Sequence, residues 1–306
     1  MATPSCPPVF QGIWLPLVTP FAHGAVDHRA LRRMVEYYVG TGVAGFVPLG
    51  TTGEAYALDG AEYDAVLDTV LDAAGPLPVI AGLGGMHVPA LVQRATGLSR
   101  LRTAGQAAAA HGLAGLLVAA PPYIRPSQDA LLTHFQRLAD ASAVPLVLYD
   151  IPYRTGVTLN VETLLALAAH PNIVAVKDCG GSVAKTLALI ADGRLAVLAG
   201  DDLNVLATLC MGGAGAIVAS ANVAPRRFAR LHEAVRAQRL DEARAIFHAL
   251  VPLIGELYAE PNPAPLKACL AANGWMSAEV RAPLLPASAA LAERLAAVAV
   301  DPALHP

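Results

Sequence analysis

The sequence predicts an α/β protein, a (β/α)8 TIM barrel with a C-terminal helical extension. Eight short apolar runs of strand length recur along the chain, and segments with helical spacing separate them. The runs lack inside/outside alternation, which is typical of parallel strands buried on both faces. Eight strand–helix units in about 220 residues fit this fold, which usually needs roughly 250 residues. A doubly wound open sheet is the alternative, but no G-x-G-x-x-G follows the first run to favour it.

The predicted strands are, in chain order, GIWLPLVTP from Gly12, GFVPLG from Gly45, LPVIAG from Leu77, GLLVAAPP from Gly115, VPLVLYD from Val144, IVAVKD from Ile173, LAVLAGDD from Leu195 and GAIVAS from Gly215. The first connecting helix is predicted to start after Asp27, a good N-cap residue. Its apolar residues have the i, i+3, i+4, i+7 spacing of one helix face. They are Leu31, Met34, Val35 and Tyr38.

The pattern changes after the eighth strand. From about Asn222 onward the segments have helical periodicity with no strand between them. The sequence therefore predicts a barrel catalytic domain over residues 1–221 and a C-terminal helical domain over residues 222–306.

Composition excludes several classes of function. Of the 306 residues, 55% are hydrophobic and 15% are charged, and the formal net charge is −3. The basic residues form no run that could follow a phosphate backbone, so we expect no nucleic-acid partner. No apolar stretch long enough to span a membrane is free of charge, Gly or Pro, so we expect no membrane partner.

Targeting and metal signals are also absent from the sequence. The N-terminal residues have no basic region and are broken by prolines, unlike a signal peptide. The four cysteines form no C-x-x-C pair, which is typical of reduced thiols in a cytoplasmic protein. The histidines form neither H-x-H nor H-E-x-x-H, so nothing in their spacing indicates a metal site.

Lys177 is one of only three lysines and ends an apolar run. Catalytic residues of parallel barrels lie at the C-terminal ends of the strands. On a strand buried on both faces the ammonium would be desolvated and its pKa lowered. The resulting neutral amine suits Schiff-base chemistry with a carbonyl substrate; the alternative is a lysine whose head group reaches solvent. The other two, Lys185 and Lys267, lie on predicted helices and are interpreted as ordinary.

Other strand ends carry polar residues that suit the same chemistry. Thr51 and Thr52, in GTTGE, predict either a helix N-cap or a carboxylate cradle of hydroxyl and backbone N–H groups. Tyr149 is either a core aromatic or a phenol that moves protons at the attacked carbonyl. Arg154, in the following loop, is either solvated or a bidentate clamp for a substrate carboxylate.

Together these residues resemble the dihydrodipicolinate synthase/N-acetylneuraminate lyase family of pyruvate-dependent class I aldolases. The motifs GTTGE, PPYIRPSQ, YDIPYRTG, VKD, GDD and PNPAPLK occur in the order found in that family. The resemblance extends from Leu17 to Lys267. It implies a (β/α)8 barrel with a C-terminal helical domain, assembled as a homotetramer of two tight dimers.

The resemblance also implies how the substrate is held. Lys177 would form an imine with pyruvate, and Thr51 and Thr52 would bind the pyruvate carboxylate. No metal or organic cofactor is expected, because the lysine itself serves as the electron sink.

Further residues match the family's proton relay and pocket. Tyr149, Thr52 and Tyr123 match the relay, with Tyr123 expected from the neighbouring subunit. Gly200 and Ile217 match positions that line the pyruvate pocket.

Arg154 bears on the second substrate. It matches the arginine that binds the carboxylate of aspartate semialdehyde in the synthases, and sialic-acid lyases generally lack it. This favours condensation of pyruvate with aspartate semialdehyde in lysine biosynthesis. A catabolic aldolase or dehydratase of a 2-keto-3-deoxy sugar acid or of 4-hydroxy-2-oxoglutarate stays open, since Arg154 could bind a distal carboxylate there too. A non-catalytic sensor of a keto acid is disfavoured by the retained catalytic residues.

The chain departs from the family pattern at a few positions. Asp178 stands where many synthases have Glu, and Asp150 where Asn is usual. Pro122 replaces an aromatic residue that often precedes the equivalent of Tyr123. The segment between Gly85 and Gly115 is longer than is usual in the family.

One group of departures concerns regulation. Lysine-sensitive members bind L-lysine through imidazoles, an Asn, a Glu and a Tyr. The corresponding positions here carry Gly60, Tyr63, Met86, Ala90 and Pro122. Because these side chains do not supply the polar groups that fix a lysine ligand, we expect little inhibition by L-lysine.

Overall fold

The computed structural model describes residues 10–101 and 113–297. Its strands are β1 (Gly12–Leu15), β2 (Phe21–Ala22), β3 (Ala25–Val26), β4 (Gly45–Phe46), β5 (Val79–Leu83), β6 (Leu113–Ala119), β7 (Leu146–Asp150), β8 (Ile173–Asp178), β9 (Ala196–Ala199) and β10 (Gly215–Ile217). Its α-helices are α1 (His28–Val39), α2 (Gly60–Ala73), α3 (Val88–Leu101), α4 (Gln128–Ala141), α5 (Pro152–Thr155), α6 (Val161–Leu167), α7 (Val183–Asp192), α8 (Val205–Cys210), α9 (Pro225–Arg236), α10 (Leu240–Leu257), α11 (Ala264–Ala272) and α12 (Ala289–Ala297). Short 3-10 helices cover Ala55–Ala57, Asp202–Asn204 and Ala219–Asn222.

Eight of these strands close a parallel barrel in the order β1-β10-β9-β8-β7-β6-β5-β4. Each coincides with one of the predicted apolar runs, so the predicted (β/α)8 TIM barrel is confirmed. The antiparallel pair β2–β3 was not predicted, because strands of two residues are too short to show a period. Part of the long segment before β6, residues 102–112, lies outside the described residues.

The chain forms two compact units. The first contains residues 10–12 and Pro78–Ile217, and therefore β5–β10 with α3–α8. In its sheet, β7 and β8 pair Tyr149 with Lys177 and Asp150 with Asp178. This register brings the ends of the two strands level with each other.

The second unit contains Ile13–Leu77 and the described residues from 218 to 297. Its first helix, α1, starts as predicted: the Asp27 side chain accepts a hydrogen bond from Ala30 N at 2.9 Å. The predicted apolar face of α1 is buried. The predicted C-terminal helices are confirmed as α9–α12, whereas the predicted domain boundary after residue 221 stays a prediction.

Within residues 10–101 and 113–297, no helix is both long enough and apolar enough to cross a bilayer.

Candidate active site

Lys177 lies at the C-terminal end of β8, and its side chain is 6% exposed. Its Nζ is 4.3 Å from the centroid of the Tyr149 ring on β7. Burial lowers the pKa of the Lys177 ammonium, and the Arg154 guanidinium lowers it further. The Asp202 carboxylate raises this pKa by less than the burial lowers it. Burial therefore shifts Lys177 towards the neutral, nucleophilic amine, and the alternative of a solvent-exposed head group is wrong.

The absence of a side chain at Gly200 makes room for the side chain of Lys177. A Cβ added at Gly200 would lie 2.8 Å from Lys177 Cγ and 3.0 Å from Lys177 Cε. Carbon atoms pack best at about 3.5–4.0 Å, so any larger residue would displace the lysine. The backbone N–H of Gly200 donates to Asp178 O at 2.9 Å and fixes the glycine beside β8.

Cys179 is a buried thiol at this site that the sequence analysis did not identify. Burial raises its pKa to about 11, although a hydrogen bond donated by the Tyr149 hydroxyl favours the thiolate. At neutral pH Cys179 is therefore a protonated thiol in contact with the tyrosine. A signal was present in the sequence, because side chains two residues apart point to the same face of an extended strand, and Cys179 follows Lys177 by two.

Arg154 and Tyr123 lie in two loops that are joined to each other. Arg154 is exposed on α5, with its guanidinium carbon 5.8 Å from the Tyr153 ring centroid. The backbone N–H of Tyr123 donates to Thr155 O at 3.1 Å, and the Tyr123 side chain is 86% exposed. The remaining predicted pocket residue of this unit, Ile217, is fully buried at the end of β10.

Thr51 and Thr52 form a turn after β4 in the second unit. Thr52 is buried, and its hydroxyl accepts a hydrogen bond from Asn262 Nδ2 at 3.1 Å. The next α-helix, α2, is capped by Asp59 rather than by either threonine. The N-cap interpretation of the two threonines is therefore wrong. Asn262 belongs to the PNPAPLK motif, but the sequence did not reveal that it contacts the threonine turn.

Lys267 is not the ordinary helical lysine that the sequence predicted. It is fully buried on α11 and forms an ion pair with Glu54, which ends the GTTGE motif. Its Nζ donates to Glu279 O at 2.9 Å and lies 4.1 Å from the Phe21 ring centroid. Burial lowers the pKa of Lys267 to about 8, although the Glu54 carboxylate favours the ammonium.

The prediction for Lys185 is wrong in the same way. Lys185 is buried on α7, where its Nζ pairs with Asp150 Oδ2 and lies 3.4 Å from Asp178 Oδ1. Burial disfavours the ammonium, but the two aspartates outweigh burial and raise the pKa of Lys185. Two of the departures from the family pattern, Asp150 and Asp178, are thus partners of one lysine.

A (β/α)8 barrel that buries a lysine amine beside a tyrosine at its strand ends has the framework of a class I, Schiff-base-forming lyase. The chain belongs to the dihydrodipicolinate synthetase family, whose model matches residues 9–300. The 4-hydroxy-tetrahydrodipicolinate synthase of Sorangium cellulosum (strain So ce56) is 43% identical over 292 residues, which cover 94% of each chain.

Solved structures agree with this membership. Dihydrodipicolinate synthase from Aquifex aeolicus is 32% identical with a TM-score of 0.88, and the match covers 94% of this chain and 97% of that one. A chloride-inhibited dihydrodipicolinate synthase from Acinetobacter baumannii, complexed with pyruvate, is 33% identical with a TM-score of 0.85 and coverages of 93% and 96%.

Proposed function

We propose that the protein is a 4-hydroxy-tetrahydrodipicolinate synthase that condenses pyruvate with L-aspartate 4-semialdehyde in lysine biosynthesis. The observation that carries the proposal is the buried amine of Lys177, whose pKa is lowered and which lies beside Tyr149. The name of the Sorangium relative and the pyruvate complex of the Acinetobacter protein support the choice of reaction.

The chemistry follows from the neutral amine. Lys177 Nζ attacks the ketone carbon of pyruvate, and loss of water leaves a protonated imine. The imine withdraws electrons, so a proton leaves the methyl carbon and an enamine forms. The enamine carbon then attacks the aldehyde carbon of the second substrate. The amino group of the second substrate then attacks the new imine carbon, which closes the six-membered ring and releases the Lys177 amine. The lysine is therefore the electron sink, and the proposal includes no cofactor.

Pyruvate binding is assigned to four further residues. In this proposal the Thr51 and Thr52 hydroxyl groups bind the pyruvate carboxylate, and Gly200 and Ile217 line the pocket. The close approach of Gly200 to Lys177 supports this role, because any side chain at position 200 would meet the lysine. The hydrogen bond from Asn262 supports an oriented hydroxyl at Thr52.

Proton transfer is assigned to Tyr149, Thr52 and Tyr123. The Tyr149 ring packs against the Lys177 amine, within reach of a carbonyl attacked there. Tyr123 is proposed to act in the site of a neighbouring subunit. Its large exposure in the isolated chain supports that role, because an exposed phenol is open to contact with a second copy.

The proposed assembly is a homotetramer of two tight dimers. Three large side chains on the joined loops after β6 and β7 are exposed in the single chain: Tyr123 at 86%, Ile124 at 59% and Tyr153 at 67%. Grouped exposed apolar side chains of this kind mark interaction surfaces. We infer the cytoplasm as the compartment, since Cys179, Cys210 and Cys269 in the described part of the chain are free thiols.

Arg154 is proposed to bind the carboxylate of the acceptor aldehyde. It is exposed on a short helix that directly follows the strand of Tyr149. A guanidinium can bind a carboxylate through two parallel hydrogen bonds.

The decisive experiment compares synthesis with cleavage. The initial rate with pyruvate plus aspartate semialdehyde, coupled to the next reductase, should far exceed pyruvate release from 2-keto-3-deoxygluconate or 4-hydroxy-2-oxoglutarate. Rapid cleavage together with a low coupled rate would instead assign the protein to the catabolic aldolases. A chain that forms no borohydride-reducible adduct with pyruvate would point to a non-catalytic sensor.

A variant tests the specificity role of the arginine. Arg154→Gln should strongly lower the coupled rate with the aldehyde, while the rate of borohydride trapping with pyruvate stays largely unchanged. Arg194→Gln is the matched control, because Arg194 is exposed and forms its ion pair with the nearby Asp192. Equal loss of both activities in Arg154→Gln would overturn the assignment.

A further inference from the structure

Three buried charged residues lie behind the candidate catalytic pair. Asp150 ends β7, Asp178 ends β8, and Lys185 lies in the first turns of α7; each is at most 9% exposed. We call them the acid–lysine cluster. Adjacent side chains on a strand point to opposite faces, so the two aspartates face away from the side occupied by Tyr149 and Lys177. The cluster can therefore act on the site only through other groups.

Asp150 closes the loop that carries Arg154. The loop begins directly after Asp150, and Asp150 Oδ1 accepts a hydrogen bond from Leu159 N at 3.0 Å. Residues 151–158 are thus held at both ends by one aspartate. Its other carboxylate oxygen, Oδ2, pairs with Lys185.

Asp178 fixes the turn between β8 and α7. Its Oδ1 accepts a hydrogen bond from Gly180 N at 2.8 Å, and its Oδ2 accepts one from the Thr186 hydroxyl at 2.7 Å. A Cβ at Gly180 would collide with Lys185 Nζ and lie 2.7 Å from Asp150 Oδ2. The turn therefore packs directly on the cluster, and a side chain at Gly180 would push it apart.

The cluster contains two acids and one base. Lys185 lies close to both carboxylates, whereas neither aspartate has another cationic partner among the ion pairs of the described residues. Without Lys185, two buried carboxylates would face each other with no cation between them, so that either they repel and separate or one of them takes up a proton. Separation would move Asp150 and with it the Leu159 end of the Arg154 loop.

We infer that the acid–lysine cluster is a positioning device for the acceptor-binding loop. It sets the affinity for the aldehyde through Arg154 and has little part in forming the pyruvate imine, because its side chains face away from Lys177, whose backbone is fixed by the pairing of β8 with β7 and β9. The inference rests on the proposed function, since it assigns the Arg154 loop to the acceptor.

The test compares Lys185→Met with the double variant Lys185→Met/Asp150→Asn. Lys185→Met should raise the KM for aspartate semialdehyde by about tenfold or more, since misplacing a binding group by about 1 Å costs up to ~100-fold. The rate of borohydride trapping with pyruvate should stay within about threefold of the wild type. The double variant should recover most of the KM, because one carboxylate remains and the introduced amide oxygen still accepts the Leu159 N–H.

The rescue separates positioning from simple packing. A packing role predicts that two substitutions are at least as harmful as one, and a double variant as impaired as Lys185→Met would overturn the inference. Equal changes in aldehyde KM and pyruvate trapping would also overturn it. Arg194→Met, which removes an exposed ion pair beyond the end of α7, is the control and should change neither quantity.

A second pair of variants tests the inference in case Lys185→Met does not fold. Asp150→Ala removes the acceptor for Leu159 N–H, whereas Asp150→Asn keeps it, so the alanine variant should show the larger rise in aldehyde KM. Equal KM values would overturn the inference. If the wild type traps pyruvate but does not use aspartate semialdehyde, the proposed function fails by itself. The same variants would then be compared by the KM for cleavage of 2-keto-3-deoxygluconate.

Discussion

Replacing Gly200 with alanine should disable Lys177 by crowding its side chain, without removing any polar group. The added methyl carbon would lie 2.8 Å from Lys177 Cγ, and the normal separation is about 3.5–4.0 Å, so one of the two must move by about 1 Å. Neither has room, because Lys177 is buried and the Cys179 sulfur lies on the same side of the added carbon. A shift of that size in a reacting group costs up to ~100-fold in rate.

The assay for Gly200→Ala is reductive trapping. Protein is incubated with pyruvate and borohydride, and the mass increase is followed with time. We expect the trapping rate to fall by about 100-fold, while overpacking destabilises the fold by only about 1–3 kcal/mol. Thermal melting under the same conditions separates the two effects.

Gly84→Ala is the matched control. Gly84 follows directly after β5, as Gly200 follows β9, but a Cβ there would meet no atom within 4 Å. Its trapping rate should equal that of the wild type. If Gly200→Ala traps pyruvate within about twofold of Gly84→Ala, the steric argument and the assignment of the pocket are both refuted.

Four further predictions concern the lysines and regulation. Lys177→Ala should abolish the pyruvate adduct, and an adduct mapped by peptide mass to Lys185 or Lys267 would contradict the assignment. In the wild type the trapping rate should rise with pH to a midpoint below the ordinary lysine value of 10.5, because burial lowers the pKa of Lys177; a midpoint at 10.5 or above would count against a desolvated amine. Lys267→Met should lower the free energy of unfolding, measured by urea titration, by about 3–5 kcal/mol, since it leaves Glu54 buried without its partner. Adding Glu54→Gln should recover part of this loss. An unchanged free energy of unfolding in Lys267→Met would show that the ion pair does not stabilise the fold. L-Lysine at sub-millimolar concentration should leave the coupled rate unchanged, and strong inhibition would refute the interpretation of the feedback pocket.

The lowered pKa of Lys267 also predicts the direction in which stability changes with pH. Its folded value of about 8 is below the ordinary 10.5. Between these values the unfolded chain binds more protons than the folded one, so this group makes the free energy of unfolding rise with pH. The Lys267→Met/Glu54→Gln variant should lose that component, which urea titrations at several pH values would measure.

Local sequence patterns determined the positions of the strands and helices. Eight apolar runs without alternation are sufficient to predict eight buried parallel strands, because both faces of such a strand exclude water. The Asp27 cap and the buried face of α1 followed from rules that act over a few residues. Lys177 could be singled out because a lysine ending a buried strand has a desolvated amine wherever the strand lies in the barrel.

Only the tertiary structure decided which residues meet. Lys185 and Asp150 are 35 residues apart in the chain, and Asn262 is 210 residues from Thr52. Helical periodicity shows that a residue faces inward, but an inward lysine on a helix is stable only if an acid from another element faces it. That partner depends on the register of β7 and β8 for Lys185, and on the turn after β4 for Lys267. The sequence by itself determined the barrel and the buried position of Lys177, while the partners of the other two lysines were decided by the packing of elements far apart in the chain.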